Sequence, residues 1–157
     1  AGMGTLLFDL LTRKEDETYE TRFNIPLLTE RLKAATLWLR KQKETGRMKL
    51  GYFGASTGSA AALRAAADSK TSIAAVVSRG GRPDLAIDML PQVKAPTLLI
   101  VGGLDDIVIG MNREAYDVIK AEKKLSIIPE ATHLFEEPGT LEEAARQAVL
   151  WFKKYLT

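Results

Sequence analysis

The sequence predicts an α/β fold built on a mostly parallel, five-stranded sheet, and two observations carry that prediction. Apolar runs of strand length alternate with helix-forming segments along the 157 residues, which is typical of parallel strands joined by right-handed crossovers. One run, 97–102, is almost wholly apolar, as strands buried on both faces are. We therefore expect a single α/β domain over residues 1–157, long enough to bury a core without disulfides.

Each strand and helix is placed from its own run of residues. The expected strands lie near 4–10, 50–55, 73–79, 97–102 and 124–129, and the expected helices near 29–44, 57–69, 83–91, 111–122 and 141–156. In the last helix, Thr140 and Glu143 have the spacing of a capping box. Its apolar steps of four and three predict one buried stripe, formed by Leu141, Ala145, Ala148, Phe152 and Tyr155. We expect Trp151 and Phe152 to belong to the core.

Composition excludes several classes of function. The net charge is +2, and lysines and arginines are interspersed with acidic residues, so nucleic acid is not an expected partner. No apolar run reaches the roughly 18 residues of a membrane span, and no signal peptide is expected. The chain has no cysteine and one histidine, which argues against disulfides and against thiolate or histidine-rich metal sites. We expect a cytoplasmic protein that uses neither a metal nor a cofactor.

The most informative motif is the pentad Gly54-Ala55-Ser56-Thr57-Gly58, which lies between an expected strand and an alanine-rich helix. A G-x-S-x-G pentad in that position is the nucleophile elbow, a sharp turn that lifts the serine hydroxyl above the sheet. The two glycines are expected to permit the tight turn and a close approach of the helix. The alternative is a Gly/Ser-rich loop that opens a helix and has no chemistry.

The other groups that a serine nucleophile needs follow it in the chain. Asp105 and Asp106 follow the strand near 97–102, and the single histidine, His133, follows the last strand. Parallel sheets bind ligands beyond the carboxyl ends of their strands, where Ser56 is also expected. Serine, acid and histidine stand in the order that α/β-hydrolases use. The alternative for a lone histidine is a surface or core residue without chemistry.

With these residues, the chain resembles the α/β-hydrolase superfamily and, within it, the dienelactone hydrolase-like branch. The resemblance rests on 53–58, on the glycine, acid and valine spacing of 102–108 and on 131–135, with further similarity at 4–11 and 78–83.

The resemblance implies a role for each candidate residue. Ser56 would be the nucleophile, His133 the general base and acid, and Asp105 the residue that orients His133, with Asp106 as a competing acid. The N–H of Thr57 would be one donor of the oxyanion hole. Dienelactone hydrolases proper use a cysteine nucleophile, and this chain has none, so the resemblance points to a serine esterase rather than to dienelactone as the substrate.

The resemblance also implies that the first three strands, the first helix and the loop with the second oxyanion donor are missing from this chain. The sequence leaves open whether Ala1 follows an excised methionine or begins a fragment. We expect either a slot in the sheet or direct pairing of the strands near 4–10 and 50–55. Apolar side chains in 6–10 would then lack an intrachain partner, and we expect a homodimer or larger homo-oligomer to cover them.

Two features outside the motifs have alternative interpretations. The charged segment 12–28 is either a solvated loop or a flap over the site, with Tyr19 or Phe23 touching substrate. Arg79 and Arg82 either attract a carboxylate-bearing substrate or cap and solvate the next helix.

The sequence thus predicts a serine hydrolase, specifically a carboxylesterase acting on a small-molecule ester. The alternative is a catalytically impaired fragment or a non-enzymatic assembly module that retains the triad residues without a complete oxyanion hole.

Overall fold

The fold is an α/β architecture, seen in a computed structural model that describes residues 2–68, 70 and 72–157. Within those residues, four parallel strands lie in the order β1-β2-β3-β4. The strands are β1 (Leu50–Ala55), β2 (Ile73–Arg79), β3 (Thr97–Gly102) and β4 (Lys123–Ile128). The helices are α1 (Arg13–Asp16), α2 (Ile25–Lys41), α3 (Thr57–Ala67), α4 (Asp106–Val118) and α5 (Thr140–Leu156), and short 3₁₀ turns span Tyr19–Phe23, Pro83–Ala86 and Leu90–Gln92. The parallel sheet is as predicted, and these four strands agree with the predicted bounds to within one residue.

The fifth predicted strand, over 4–10, is wrong. Residues 4–10 have no strand geometry, and β1 is the edge of the sheet, paired with β2 alone among the described strands. An apolar segment becomes a strand only where a neighbouring strand supplies hydrogen bonds to it, and β1 does not do so here. Residues 4–9 are exposed, with Leu7 at 95% of its free area. Direct pairing of 4–10 with β1 is therefore absent, and so is a slot between two strands, because 4–10 is not a strand.

Among the described helices, three cover one face of the sheet and one covers the other. Alternate residues of β2 face opposite ways, so Val76 lies in the core under α2, α3 and α4, while Val77 packs in the core under α5. Helix α3 packs tightly because it presents alanines that are almost fully buried.

Four of the predicted helices have different bounds. The predicted helix over 83–91 is two 3₁₀ turns, because Pro91 has no N–H to continue an α-helix. Helix α4 begins at Asp106, five residues before its predicted start. Helix α2 begins at Ile25, where Asn24 accepts a hydrogen bond from the N–H of Leu27 at 3.2 Å. Helix α3 ends at Ala67, and residue 69 of its predicted range lies outside the described residues.

The predicted capping box of the last helix is also wrong. Gly139 occupies the N-cap position, and the Thr140 hydroxyl donates to the carbonyl of Glu137 at 2.7 Å. The buried residues of α5 are Thr140, Ala144, Ala148 and Trp151. Most of the predicted stripe is therefore shifted by one position, and Leu141 is exposed. Trp151 lies in the core as predicted, with Phe152 packed against it.

The charged segment 12–28 is more ordered than predicted. A capping box between Thr12 and Glu15 opens α1, and a 3₁₀ turn follows, although neither element has a buried residue. The ring centroids of Tyr19 and Phe23 lie 5.4 Å apart, so these two aromatic residues contact each other. Across the described parts of the chain, no helix combines the length and apolarity needed to cross a membrane.

Candidate active site

Ser56 sits in a strained turn between β1 and α3. Its φ of 47° and ψ of −123° are unusual for a residue with a side chain, and such conformations persist only where the surroundings enforce them. A Cβ on Gly54 would lie 2.5 Å from the carbonyl oxygen of Gly58 and 2.7 Å from Cα of Ser59, whereas a Cβ on Gly58 would meet nothing within 4 Å. The expected need for a glycine is thus confirmed at Gly54 and not at Gly58.

Hydrogen bonds from the end of β2 hold this turn in place. The N–H of Ser56 donates to the carbonyl of Arg79 at 3.3 Å, and the N–H of Arg82 donates to the carbonyl of Ser56 at 3.1 Å. Within the turn, the Ser59 hydroxyl donates to the carbonyl of Gly54 at 2.9 Å. The strained serine is therefore fastened on both sides of its Cα.

Asp105 and His133 are joined directly. Nδ1 of His133 lies 2.7 Å from Oδ2 of Asp105. A carboxylate offers only acceptors, so the imidazole proton is on Nδ1 and Nε2 is left free to accept. Asp105 stands at the N-cap of α4 but makes no capping hydrogen bond with its side chain. Asp106, the competing acid, is the exposed first residue of α4 and has no hydrogen bond to His133.

The turn that carries His133 is packed against the end of β3. A Cβ on Gly102 would lie 2.5 Å from the carbonyl oxygen of Thr132, so only glycine allows this approach. The N–H of Leu104 donates to the carbonyl of Ala131 at 2.9 Å, and the N–H of Gly103 donates to the carbonyl of Ile128 at 2.7 Å. These contacts fix the acid and the histidine relative to each other through the backbone.

Glu137 holds the same turn from the other side, and the sequence reasoning missed it. Its carboxylate accepts from the Thr132 hydroxyl at 2.7 Å and from the Thr132 N–H at 3.0 Å. Those two hydrogen bonds, the hydroxyl one foremost, lower the pKa of Glu137 below its ordinary value. A glutamate in a loop after the histidine belongs to no motif, so no sequence signal distinguishes it from a solvated charge.

The loop after β2 lies between the serine and the histidine. Gly80 has a φ of 51°, and a Cβ there would meet the carbonyl oxygen of His133 at 3.2 Å and its ring Cε1 at 3.7 Å. Since Arg79 and Arg82 on either side of Gly80 are bonded to Ser56, the Ser56 turn and the histidine turn meet at one end of the sheet. In the described part of the chain, the Ser56 hydroxyl makes no hydrogen bond to His133.

The two arginines of this loop have different partners. The Arg82 guanidinium donates two hydrogen bonds to the Asp84 carboxylate, at 2.9 and 2.8 Å, which raises the pKa of Arg82. This favours the second interpretation of Arg82, a residue that supports the next helical turn. Arg79 is half-buried, and burial lowers its pKa. Its guanidinium contacts the histidine turn.

A groove of about 990 Å³ runs along the free edge of β1 and reaches the serine turn. Its walls include residues 3–13, Phe53 and the side of α2, and it ends at Thr57 and Gly58. Thr57 opens α3, so its N–H has no acceptor within the helix. From the segment proposed as a flap, Arg13, Asp16 and Arg22 border this groove, but Tyr19 and Phe23 do not.

The chain has the α/β-hydrolase fold, because a strained serine follows one strand, an acid follows a later strand and a histidine follows the last. The acid is hydrogen-bonded to the histidine, as this fold requires. More narrowly, the chain belongs to the dienelactone hydrolase family, whose family model matches residues 8–156. The resemblance seen in the sequence is confirmed.

The comparison with solved structures agrees with this family. The chain is similar to a dienelactone hydrolase from Anabaena variabilis, with 56% identity and a TM-score of 0.91, over 95% of this chain and 71% of that one. It also shares its fold with the esterase domain of a Rhodothermus marinus protein, at 21% identity and a TM-score of 0.70, over 82% of this chain and 69% of that one.

Among curated proteins, the chain is similar to one from Mycobacterium tuberculosis strain H37Rv that is named "Putative phosphoribosyl transferase". The two are 55% identical over 156 residues, which is 99% of this chain and 35% of that protein. The chain therefore spans about a third of the length of the curated relatives it matches.

Proposed function

We propose that this protein is a serine carboxylesterase that cleaves small carboxylic esters through an acyl-enzyme on Ser56. The observation that carries the proposal is the 2.7 Å contact between His133 Nδ1 and Asp105 Oδ2, beside a serine held in the strained conformation of a nucleophile elbow. Membership of the dienelactone hydrolase family supports hydrolysis as the reaction class.

The mechanism follows from these positions. Nε2 of His133 takes the proton of the Ser56 hydroxyl while Oγ attacks the ester carbonyl. Asp105 keeps the proton on Nδ1 and stabilises the imidazolium that forms. Collapse of the tetrahedral intermediate expels the alcohol, which receives the proton from Nε2. A water molecule then attacks the acyl-enzyme, with His133 again as base, and releases the carboxylic acid.

The oxyanion of that intermediate needs hydrogen-bond donors fixed in advance. Thr57 directly follows the nucleophile, and its N–H has no acceptor in α3. We therefore propose that this N–H is one of the donors to the oxyanion. Loss of one such donor typically lowers kcat about 10²–10³-fold. The groove that ends at Thr57 gives a second donor access to the same point.

The alternative remains a catalytically impaired fragment or an assembly module. Two observations favour it: the Ser56 hydroxyl makes no hydrogen bond to His133 within the described residues, and the groove beside Thr57 is open. We do not carry the transferase name to this chain, because the chain matches only 35% of that relative, and the dienelactone hydrolase model covers almost all of the matched region.

Turnover of short p-nitrophenyl esters separates the two proposals. We expect saturable hydrolysis that Ser56→Ala lowers about 10⁴-fold or more. Ser126→Ala, on β4, is the matched control and keeps the parent rate. A folded protein that hydrolyses these esters no faster than Ser56→Ala would favour the impaired fragment or the assembly module.

The homo-oligomer stays a prediction. The free edge of β1 and the exposed side chains of Leu6, Leu7 and Phe8 form the surface that a second copy would cover. Sedimentation equilibrium at micromolar concentration measures the mass directly. A species of 17.2 kDa with full esterase activity would contradict the prediction.

A further inference from the structure

Within the described residues, Arg79 makes hydrogen bonds to both the serine turn and the histidine turn. Its backbone carbonyl accepts from the N–H of Ser56 at 3.3 Å. Its side chain reaches the other way, and Nη1 donates to the carbonyl of Leu134 at 3.3 Å. Leu134 directly follows His133, so Arg79 spans the space between the nucleophile and the general base.

The aromatic ring of Phe135 makes the second contact with this guanidinium. Cζ of Arg79 lies 5.3 Å from the ring centroid, within the range of a cation–π interaction. Phe135 is buried and has a φ of 58°, which is strained for a bulky residue and needs support from its surroundings. Arg79 supplies part of that support, two residues after His133.

The surroundings of the Arg79 guanidinium are unusual for an arginine that serves only solubility. It makes no ion pair with any carboxylate of the described chain, whereas its neighbour Arg82 is paired with Asp84 at 2.8 Å. Partial burial of an unpaired cation costs solvation free energy, and burial lowers the pKa of this guanidinium. A carbonyl and a ring face are the groups that compensate for this cost, and both belong to the histidine turn.

We propose that Arg79 is a positioning residue, which sets the separation of Ser56 and His133 by tying the nucleophile turn to the histidine turn. The proposal rests on the serine hydrolase assigned above and goes beyond it by naming a group that acts through His133 rather than on the substrate. Displacement of a catalytic group by about 1 Å can lower a rate about 10²-fold, so loss of this tie should be visible in kcat.

The first test compares Arg79→Met, Arg79→Lys and Arg64→Met in the whole chain. Arg79→Met keeps an unbranched apolar stem but removes both the donor and the cation, and Arg79→Lys keeps the cation over Phe135. Arg64→Met is the matched control, because Arg64 pairs with Asp88 at 3.4 Å at the surface.

With p-nitrophenyl acetate, we expect Arg79→Met to lower kcat about 10²-fold with KM within twofold. Arg79→Lys should recover part of the loss, and Arg64→Met should match the parent.

The second test needs no activity and therefore separates this proposal from the proposed function. His133 is the only histidine, so its Cε1–H resonance reports on one site. We expect Arg79→Met to shift that resonance and to speed amide exchange in both 54–58 and 131–136, with Arg64→Met unchanged in each. A normal kcat, a change in KM alone, or an unchanged histidine resonance and exchange in Arg79→Met would each overturn the proposal. If the parent protein is inactive but Arg79→Met shows these spectral changes, the result would contradict the proposed esterase activity and support the link that Arg79 makes between the two turns.

Discussion

The carboxyl end of β1 and its free edge differ sharply in how firmly the surrounding chain is held. At the carboxyl end, Ser56 is fastened by backbone hydrogen bonds to Arg79 and Arg82, and helix α3 leaves no room for a side chain at Gly54. Along the free edge of the same strand, residues 4–9 are exposed, and they border a groove of about 990 Å³. Apolar side chains are present in both regions, but only the first has partners for them.

This difference shows which region has a conformation that its surroundings fix. Around the candidate site, strained residues such as Ser56 and Phe135 are each held by several contacts, which is what preorganised chemistry requires. Along the free edge, Leu7 and Phe53 contribute exposed apolar area and little packing. The predictions below test whether stability and activity follow the same division.

The largest expected effect separates the two adjacent carboxylates of the site. Asp105→Asn removes the carboxylate that keeps the proton on Nδ1 of His133 and stabilises the imidazolium, so we expect kcat for p-nitrophenyl acetate to fall about 10⁴-fold. Asp106→Asn is the matched control and should keep the parent kcat, because Asp106 is exposed at the start of α4. Equal losses in the two variants would contradict the assignment of the acid.

The second effect tests the close approach at the Ser56 turn. Gly54→Ala places a methyl group 2.5 Å from the Gly58 carbonyl oxygen, and we expect a loss on the order of 4 kcal/mol in the free energy of unfolding. A Cβ at Gly58 meets nothing within 4 Å in the first turn of α3, so Gly58→Ala should stabilise the fold by at most about 1 kcal/mol. Urea denaturation measures both, and a Gly54→Ala variant as stable as the parent would show that the turn is loose.

The third prediction compares a leucine from each region. Leu98 of β3 is 1% exposed under α5 and Leu7 is 95% exposed. Leu98→Ala should cost about 2–5 kcal/mol of unfolding free energy, and Leu7→Ala should change it by less than about 0.5 kcal/mol. A large cost at Leu7 would mean that the N-terminal segment is packed in solution, and the contrast between the regions would fail.

The smallest expected effect depends on pH and on Glu137. Because the folded state lowers the pKa of this carboxyl, its hydrogen bonds to Thr132 stabilise the fold above the ordinary glutamate pKa of about 4.3. That stabilisation is lost as the pH falls through the lowered pKa. The difference in Tm between the parent and Glu137→Gln should therefore be greatest near pH 7 and disappear in acid.

Glu136→Gln, at an exposed neighbouring position, is the control for this pH series. Its Tm should follow that of the parent throughout. A Tm difference for Glu137→Gln that does not change between pH 7 and pH 3 would show that the hydrogen bonds to Thr132 do not depend on the charge.

Much of this arrangement could be predicted from the sequence, for reasons that particular residues make clear. Four of the five predicted strands are present because each has a local run of apolar residues, and in β3 that run is buried throughout. Asp105 and His133 were singled out because each follows such a strand, and the structure brings them into contact. The rest depends on distant partners. Residues 4–10 carry a strand-like pattern, but whether they pair is decided by β1 and not by their own side chains.

The missed contacts have a different cause. Arg79 and Glu137 act on a turn whose path depends on left-handed residues at Glu130 and Phe135, and a bulky residue is a rare choice for that conformation. The one-residue shift in α5 arises because Gly139, rather than Thr140, takes the N-cap position. A local sequence pattern predicts where a helix lies better than it predicts which face is buried, since a shift of one residue rotates the predicted buried face by about 100°.

Covalent labelling with a fluorophosphonate probe tests the central claim most directly. The account predicts that the probe modifies Ser56 alone, as read by mass spectrometry of the peptide that contains 54–58. Labelling should be abolished in Ser56→Ala and strongly slowed in both His133→Ala and Asp105→Asn, while Asp106→Asn reacts at the parent rate. Labelling that persists in Ser56→Ala, or that proceeds at the parent rate without His133, would contradict it.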